Sequence, residues 1–228
     1  MPIILFSIFA LIMSAVFHEY AHGWVAYKLG DNTAKNEGRL TLNPIAHLDP
    51  VGSIILPLLL VFSNSPFFIG WAKPVPYNPY NLRDRKYGDL KVALGGPATN
   101  LILAIGFGLI ARLIALPLLL KQNLVISYLQ GNYEILLEAM QGSLLTSVFV
   151  MSVIFCFINL LLMIFNLIPI PPLDGSKVLM AFLPADWQIG LRKIEPYGFF
   201  IIIFLLMFGF FRLLWTPLII LFSLIIGV

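Results

Sequence analysis

The stretch PIILFSIFALIMSAVFHEYAHGWVAYK, residues 2–28, carries one acidic side chain, Glu19, and no basic one before Lys28. Its apolar length exceeds the roughly 20 residues that cross a bilayer as helix. Inside it stands HEYAH, His18 to His22. On a helix the two imidazoles lie at i and i+4, one turn apart on one face, where both can bind a single Zn²⁺. Glu19 then falls beside the metal's open position, and its carboxylate can take a proton from water and pass it to a leaving amine. An ionisable group at that depth costs roughly 3 kcal/mol on insertion scales and marks function. The placement suggests peptide hydrolysis within a membrane. A cleaved signal peptide fits poorly, because no Lys or Arg precedes the run and the run passes any plausible cleavage point.

Composition agrees with a membrane protein. Of 228 residues 60% are hydrophobic and 11% charged, which excludes an ordinary soluble domain. A net charge of +3 without interleaved basic and aromatic residues argues against nucleic acid. The lone cysteine, Cys156, has no intrachain disulfide partner and reads as a packing residue. We expect an all-α polytopic membrane protein with four to six membrane-embedded helical segments, a short re-entrant, β-containing insertion after the first helix, and a single domain over residues 1–228.

Four runs are long enough to span: residues 3–27, 92–120, 144–168 and 198–228. Residues 51–62 are apolar for too short a distance before Ser63-Asn-Ser-Pro66, which suits a re-entrant segment. Basic residues support this. Without a crossing there, Lys28, Lys35, Arg39, Lys73, Arg83, Arg85, Lys86 and Lys91 share a face with Lys177, Arg192 and Lys193, against Lys121 alone opposite. The positive-inside rule makes the richer face cytoplasmic. Residues 39–42 and 68–69 are candidate short strands, and residues 122–142 a candidate surface helix. Residues 198–228 read as either a kinked helix or a span with a re-entrant tail.

Two histidines leave zinc short of the three protein ligands usual at catalytic sites. Glu37, His47, Asp49, Asp84, Asp89 and Asp174 are the candidates. Span parity favours Asp174, which follows the cytoplasmic end of the third full span, the side on which HEYAH lies. The prolines of Asn166-Leu-Ile-Pro-Ile-Pro-Pro-Leu-Asp174 end the helix and let the chain fold back. His47 and Asp49 are the nearest rivals, with His47 also suited to anchoring a turn.

These residues resemble the site-2 proteases, intramembrane zinc metalloproteases. HEYAH matches their zinc helix, Gly96-Pro-Ala-Thr-Asn100 is similar to a motif opening a later span, and Asn166 to Gly175 resembles their NxxPxxxxDG motif. Asn43-Pro-Ile-Ala-His47-Leu-Asp49-Pro and Gly70-Trp-Ala-Lys-Pro-Val-Pro76 resemble the compact bacterial branch, without PDZ or CBS domains. The resemblance implies one Zn²⁺ per chain held by His18, His22 and Asp174, Glu19 as catalytic acid and base, and Asn166 as a group stabilising the oxyanion or positioning substrate. It covers nearly the whole chain. Asn100 reads as a packing amide outside the site.

The expected substrates are transmembrane proteins or signal-peptide remnants, met in the lipid bilayer of the cell membrane and cut toward its cytoplasmic side. Two other classes use the same residues: a divalent-metal transporter and a non-proteolytic membrane scaffold. A transporter more often shows repeats and polar groups strung along a path, whereas these polar residues gather at one depth.

Overall fold

The computed structural model describes residues 1–55, 59 and 73–228. Its helices are α1 (Pro2–Lys28), α2 (Thr33–Asn36), α3 (Gly88–Leu113), α4 (Leu118–Leu129), α5 (Tyr133–Met140), α6 (Leu144–Asn166), α7 (Asp174–Met180), α8 (Ala185–Ile194), α9 (Gly198–Met207) and α10 (Phe211–Ile226). Single 3₁₀ turns at Pro44–His47, Pro79–Asn81 and Glu195–Tyr197 and a π-helical turn at Pro50–Ile55 complete the described elements. Helices α1, α3 and α6 are long and apolar enough to cross a membrane. The chain is all-helical among the described residues, in keeping with its long apolar runs.

Two compact units are present: Ala15–Gly96, and Met1–Ser14 with Pro97–Val228. The core of the larger is α6, whose Phe149, Val153, Ile154 and Leu160 are buried in one cluster with Leu218, Phe222 and Ile226 of α10. Phe155 stacks on Phe107 of α3 at 4.5 Å between ring centroids and meets Phe6 of α1 edge-on at 5.6 Å, both favourable aromatic geometries.

Apolar packing alone registers helices weakly in lipid, where the surroundings are as apolar as the interface. A buried polar triad supplies the register here. Asn100 of α3 donates through Nδ2 to Asn159 Oδ1 at 2.8 Å and to the Ser14 carbonyl at 3.3 Å. Asn159 donates in turn to Ser14 Oγ at 2.8 Å and to the Phe155 carbonyl at 2.9 Å. Replacing Asn159 by Leu leaves the Asn100 amide short of an acceptor. We expect a loss of roughly 1–2 kcal/mol, read as a lower melting temperature in detergent. Part of it should return in the double variant with Asn100→Leu.

Several expectations change. Lys121, the lone basic residue counted opposite the richer face, is 7% exposed and donates to the carbonyls of Ala111 and Arg112 at 3.2 and 2.8 Å. Those carbonyls lie at the end of α3, whose partial negative charge favours a cation. Arg112 is used similarly, donating to the Leu224 carbonyl at 3.1 Å. Residues 122–142 form not one surface helix but the end of α4 and α5, with Leu136 fully buried. Residues 39–42 form no strand, and the partner expected at 68–69 lies outside the described residues. The re-entrant segment read at 51–62 likewise lies outside them, apart from the turn at Pro50–Ile55 and Leu59. The run 198–228 is broken into α9 and α10, with Gly209 between them at φ +77°, a conformation that favours glycine.

The smaller unit contains the last half of α1 and the start of α3, with Ala26, Leu82 and Val92 at the centre of its own cluster. Just beyond α1, the buried Asp31 carboxylate ties three segments together. Oδ1 accepts from Thr33 Oγ1 at 2.6 Å and Asn81 Nδ2 at 2.9 Å, and Oδ2 accepts from the Asn78 N–H at 2.8 Å. Burial pushes this carboxyl's pKa up, but the hydrogen bonds from Thr33, Asn81 and Asn78 outweigh it and hold the group below the ordinary carboxylate value. Its contribution to stability is therefore present above the unfolded-state value and lost as pH falls through the folded one.

Candidate active site

His18 and His22 occupy successive turns of α1 and are both buried, at 6% and 8% exposure. Their rings stand nearly perpendicular, at 81°, with Nε2 of one 3.0 Å from Nε2 of the other. The opposite nitrogen of His22, Nδ1, lies 2.7 Å from the carbonyl oxygen of Val92 on α3. A carbonyl only accepts, so Nδ1 carries a proton, and in the neutral ring this leaves the Nε2 lone pair facing His18. Fixing a ring's tautomer through its far nitrogen is how protein metal sites orient imidazole ligands.

Helix α3 approaches this pair through two glycines. A Cβ at Gly95 would lie 3.2 Å from the Ala21 carbonyl of α1. A Cβ at Gly96 would collide with Nε2 of His22 and with the His18 ring. Only glycine leaves that space clear, and the space adjoins two converging ring nitrogens, the donor type that zinc takes. The residues present therefore fit a zinc ion. Glu19, adjacent to His18, accepts a hydrogen bond at Oε2 from the backbone N–H of Val75 at 2.8 Å.

The remaining candidates are placed as follows. Asp174 is the first residue of α7 and is 8% exposed. A Cβ on its neighbour Gly175 would strike the carbonyls of Leu167 and Ile168, so the chain doubles back at that point onto the end of α6. Asn166 is the last residue of α6 and donates from Nδ2 to the Leu162 carbonyl at 3.0 Å. His47 is 1% exposed, with Nε2 2.8 Å from the Thr41 carbonyl, the contact of a turn anchor. Asp49 accepts from the Gly52 N–H at 2.6 Å. Asp84 pairs with Lys91 at 2.7 Å, and the Lys91 ammonium holds its carboxyl below the usual range. Asp89 accepts from the Tyr77 hydroxyl. Glu37 is exposed at the end of α2.

Sequence reasoning singled out the side chains and missed three backbone features: the Val92 carbonyl, the clearance at Gly96 and the Val75 N–H. The GPATN motif was the available signal for the second. Its glycine stands four residues before Asn100, on the same face of α3.

A sequence profile described as Peptidase family M50 matches residues 80–209. "Putative zinc metalloprotease YwhC" of Bacillus subtilis (strain 168) is 38% identical over 204 residues, which are 89% of this chain and 80% of that protein. "Putative zinc metalloprotease Rip2" of Mycolicibacterium smegmatis is 28% identical over 196 residues, and its counterpart in Mycobacterium tuberculosis H37Rv is 28% identical over 195. Each Rip2 match covers 86% of this chain, and the chain spans 64% and 62% of those two proteins. No solved structure matches. With two imidazoles converging on the face of an apolar helix, a glutamate beside them and these matches, the chain belongs to peptidase family M50, the site-2 protease family of intramembrane zinc metalloproteases.

Proposed function

We propose that this protein hydrolyses peptide bonds within or next to transmembrane segments of partner membrane proteins. It does so in the cell membrane, near the cytoplasmic side, with residues 1–228 acting as one catalytic domain. The observation that carries the reading is the pair of His18 and His22 ring nitrogens converging at 3.0 Å, with Glu19 beside them on the same apolar helix. The charge distribution still supports a cytoplasmic site. Lys121 stands alone opposite the richer basic face, the asymmetry that the positive-inside rule reads.

His18, His22 and Asp174 are the proposed ligands. All three are buried, and the set of two imidazoles and one carboxylate suits zinc with a coordination position left open. When bound, zinc supplies Lewis acidity, which makes water a nucleophile near neutral pH and polarises a carbonyl. Glu19 takes the proton from the attacking water as its oxygen bonds to the scissile carbonyl carbon. The same carboxyl then delivers that proton to the amine nitrogen as the C–N bond breaks. The Val92 carbonyl keeps His22 in the tautomer this arrangement needs. Asn166 has a second amide proton besides the one given to Leu162, and it is the proposed donor to the developing oxyanion.

A substrate helix must first unwind locally, because its carbonyls are held in i to i−4 bonds and shielded from attack. Transmembrane regulators and signal-peptide remnants both meet this chemistry. Purified protein incubated with a labelled transmembrane peptide should cut it, and a chelator should stop the cutting. Zinc content should fall in Asp174→Ala and persist in His47→Ala and Asp49→Ala. Zinc flux into proteoliposomes without proteolysis would overturn the assignment, and loss of zinc from the His47 variant instead would overturn the ligand set.

A further inference from the structure

Residues 73–78 are laid along α1 and fastened at both ends. At the upstream end Arg39 donates through Nη2 to the carbonyls of Lys73 and Pro74, at 2.7 and 3.4 Å. Downstream, the Asn78 N–H is held at 2.8 Å by Asp31, itself fully buried. Between the two lies Val75, 5% exposed, its side chain against α1 at Gly23, where an added Cβ would stand 2.8 Å from Val75 Cγ1. Gly23 is four residues after Glu19 and so on the same helix face. Pro74 and Pro76 flank Val75 and have no N–H. The Val75 amide is therefore the one main-chain donor across residues 74–76, and it is aimed at Glu19 Oε2 at 2.8 Å.

We infer that the Val75 N–H is a positioning group for catalysis, holding one oxygen of the Glu19 carboxylate so that the other faces the proton it must move, with Arg39 and Asp31 keeping the segment in place. The inference rests on the reading of Glu19 as the proton carrier. A carboxylate on a flexible side chain samples several rotamers, and fixing one oxygen with a charge-assisted hydrogen bond removes most of them. Prolines on either side suit the task, since they stiffen the backbone and leave no second amide to compete.

Two measurements test this. Amide hydrogen exchange across residues 73–78 should find Val75 protected in the wild type, about 10- to 100-fold less so in Glu19→Ala, and still protected in Glu19→Gln, which keeps an acceptor. In cleavage assays Val75→Pro should lower kcat about 10- to 100-fold with KM and zinc content unchanged. Val75→Ala, which keeps the N–H and sheds most of the side chain, should run at least about tenfold faster than Val75→Pro. Asp31→Asn should lower kcat without stripping zinc. Equal rates for Val75→Pro and wild type, or equally slow Val75→Ala and Val75→Pro, would overturn the inference. Should Val75→Pro not fold, unchanged exchange at Val75 in Glu19→Ala would overturn it alone. A Glu19→Ala protein that still cleaves would instead sink the proton-carrier reading on which it rests.

Discussion

Glu19→Ala should keep its zinc and lose cleavage by about 10²- to 10⁴-fold, the range general acid and base catalysis supplies. The side chain reaches the site from between the histidines in sequence, and its carboxylate accepts from the Val75 amide. Deleting it therefore leaves the imidazole pair and the Val92 carbonyl as they are. Zinc quantified in the purified variant, alongside turnover of a labelled transmembrane peptide, separates the two roles. A variant that cuts at the normal rate would remove Glu19 from the mechanism, and one that loses zinc would make it a ligand or a support of the ligands.

Gly96→Ala should be nearly as damaging through a different cause. The new methyl would enter the space next to His22 Nε2 and the His18 ring. Neither ring can move without cost, since His22 is tied to Val92 through its far nitrogen and both ride on a long helix. Overpacking of this kind costs about 1–3 kcal/mol, and displacing oriented ligands lowers metal affinity by roughly 10- to 100-fold. Zinc content after dialysis against a weak chelator, compared with Gly106→Ala, reads the effect, because a Cβ at Gly106 of the same helix meets nothing within 4 Å. Equal zinc retention by the two variants would show that the clearance at Gly96 is unimportant.

How much of this was legible in the sequence depends on whether a group has a side chain to announce it. HEYAH in an uncharged run predicts both the helix and the converging rings, because i, i+4 spacing on a helix leaves little freedom. The all-helical fold follows in the same way from apolar runs of spanning length. Lys121 gives no hint of its partners, because the terminal carbonyls of α3 that it serves carry no residue-specific signature. Arg39 misleads within an apparent strand: its guanidinium serves the Lys73 and Pro74 carbonyls. The Val92 carbonyl and Val75 amide are invisible for that reason too. Any residue has such groups, and only tertiary structure says which are used.

Four-residue steps run along both helices that frame the imidazoles. On α1 they pass through Ser14, His18 and His22, and on α3 through Val92, Gly96 and Asn100. Asn100 meets the Ser14 carbonyl, so α1 is indexed like a key whose first notch lies one turn before its teeth. Slipping by a single residue would swing Ser14 about 100° away and carry both rings with it. The rings of the proposed metal site thus share their helix with an amide contact one turn away, and wear at that notch is expected to surface as faulty chemistry before it surfaces as unfolding.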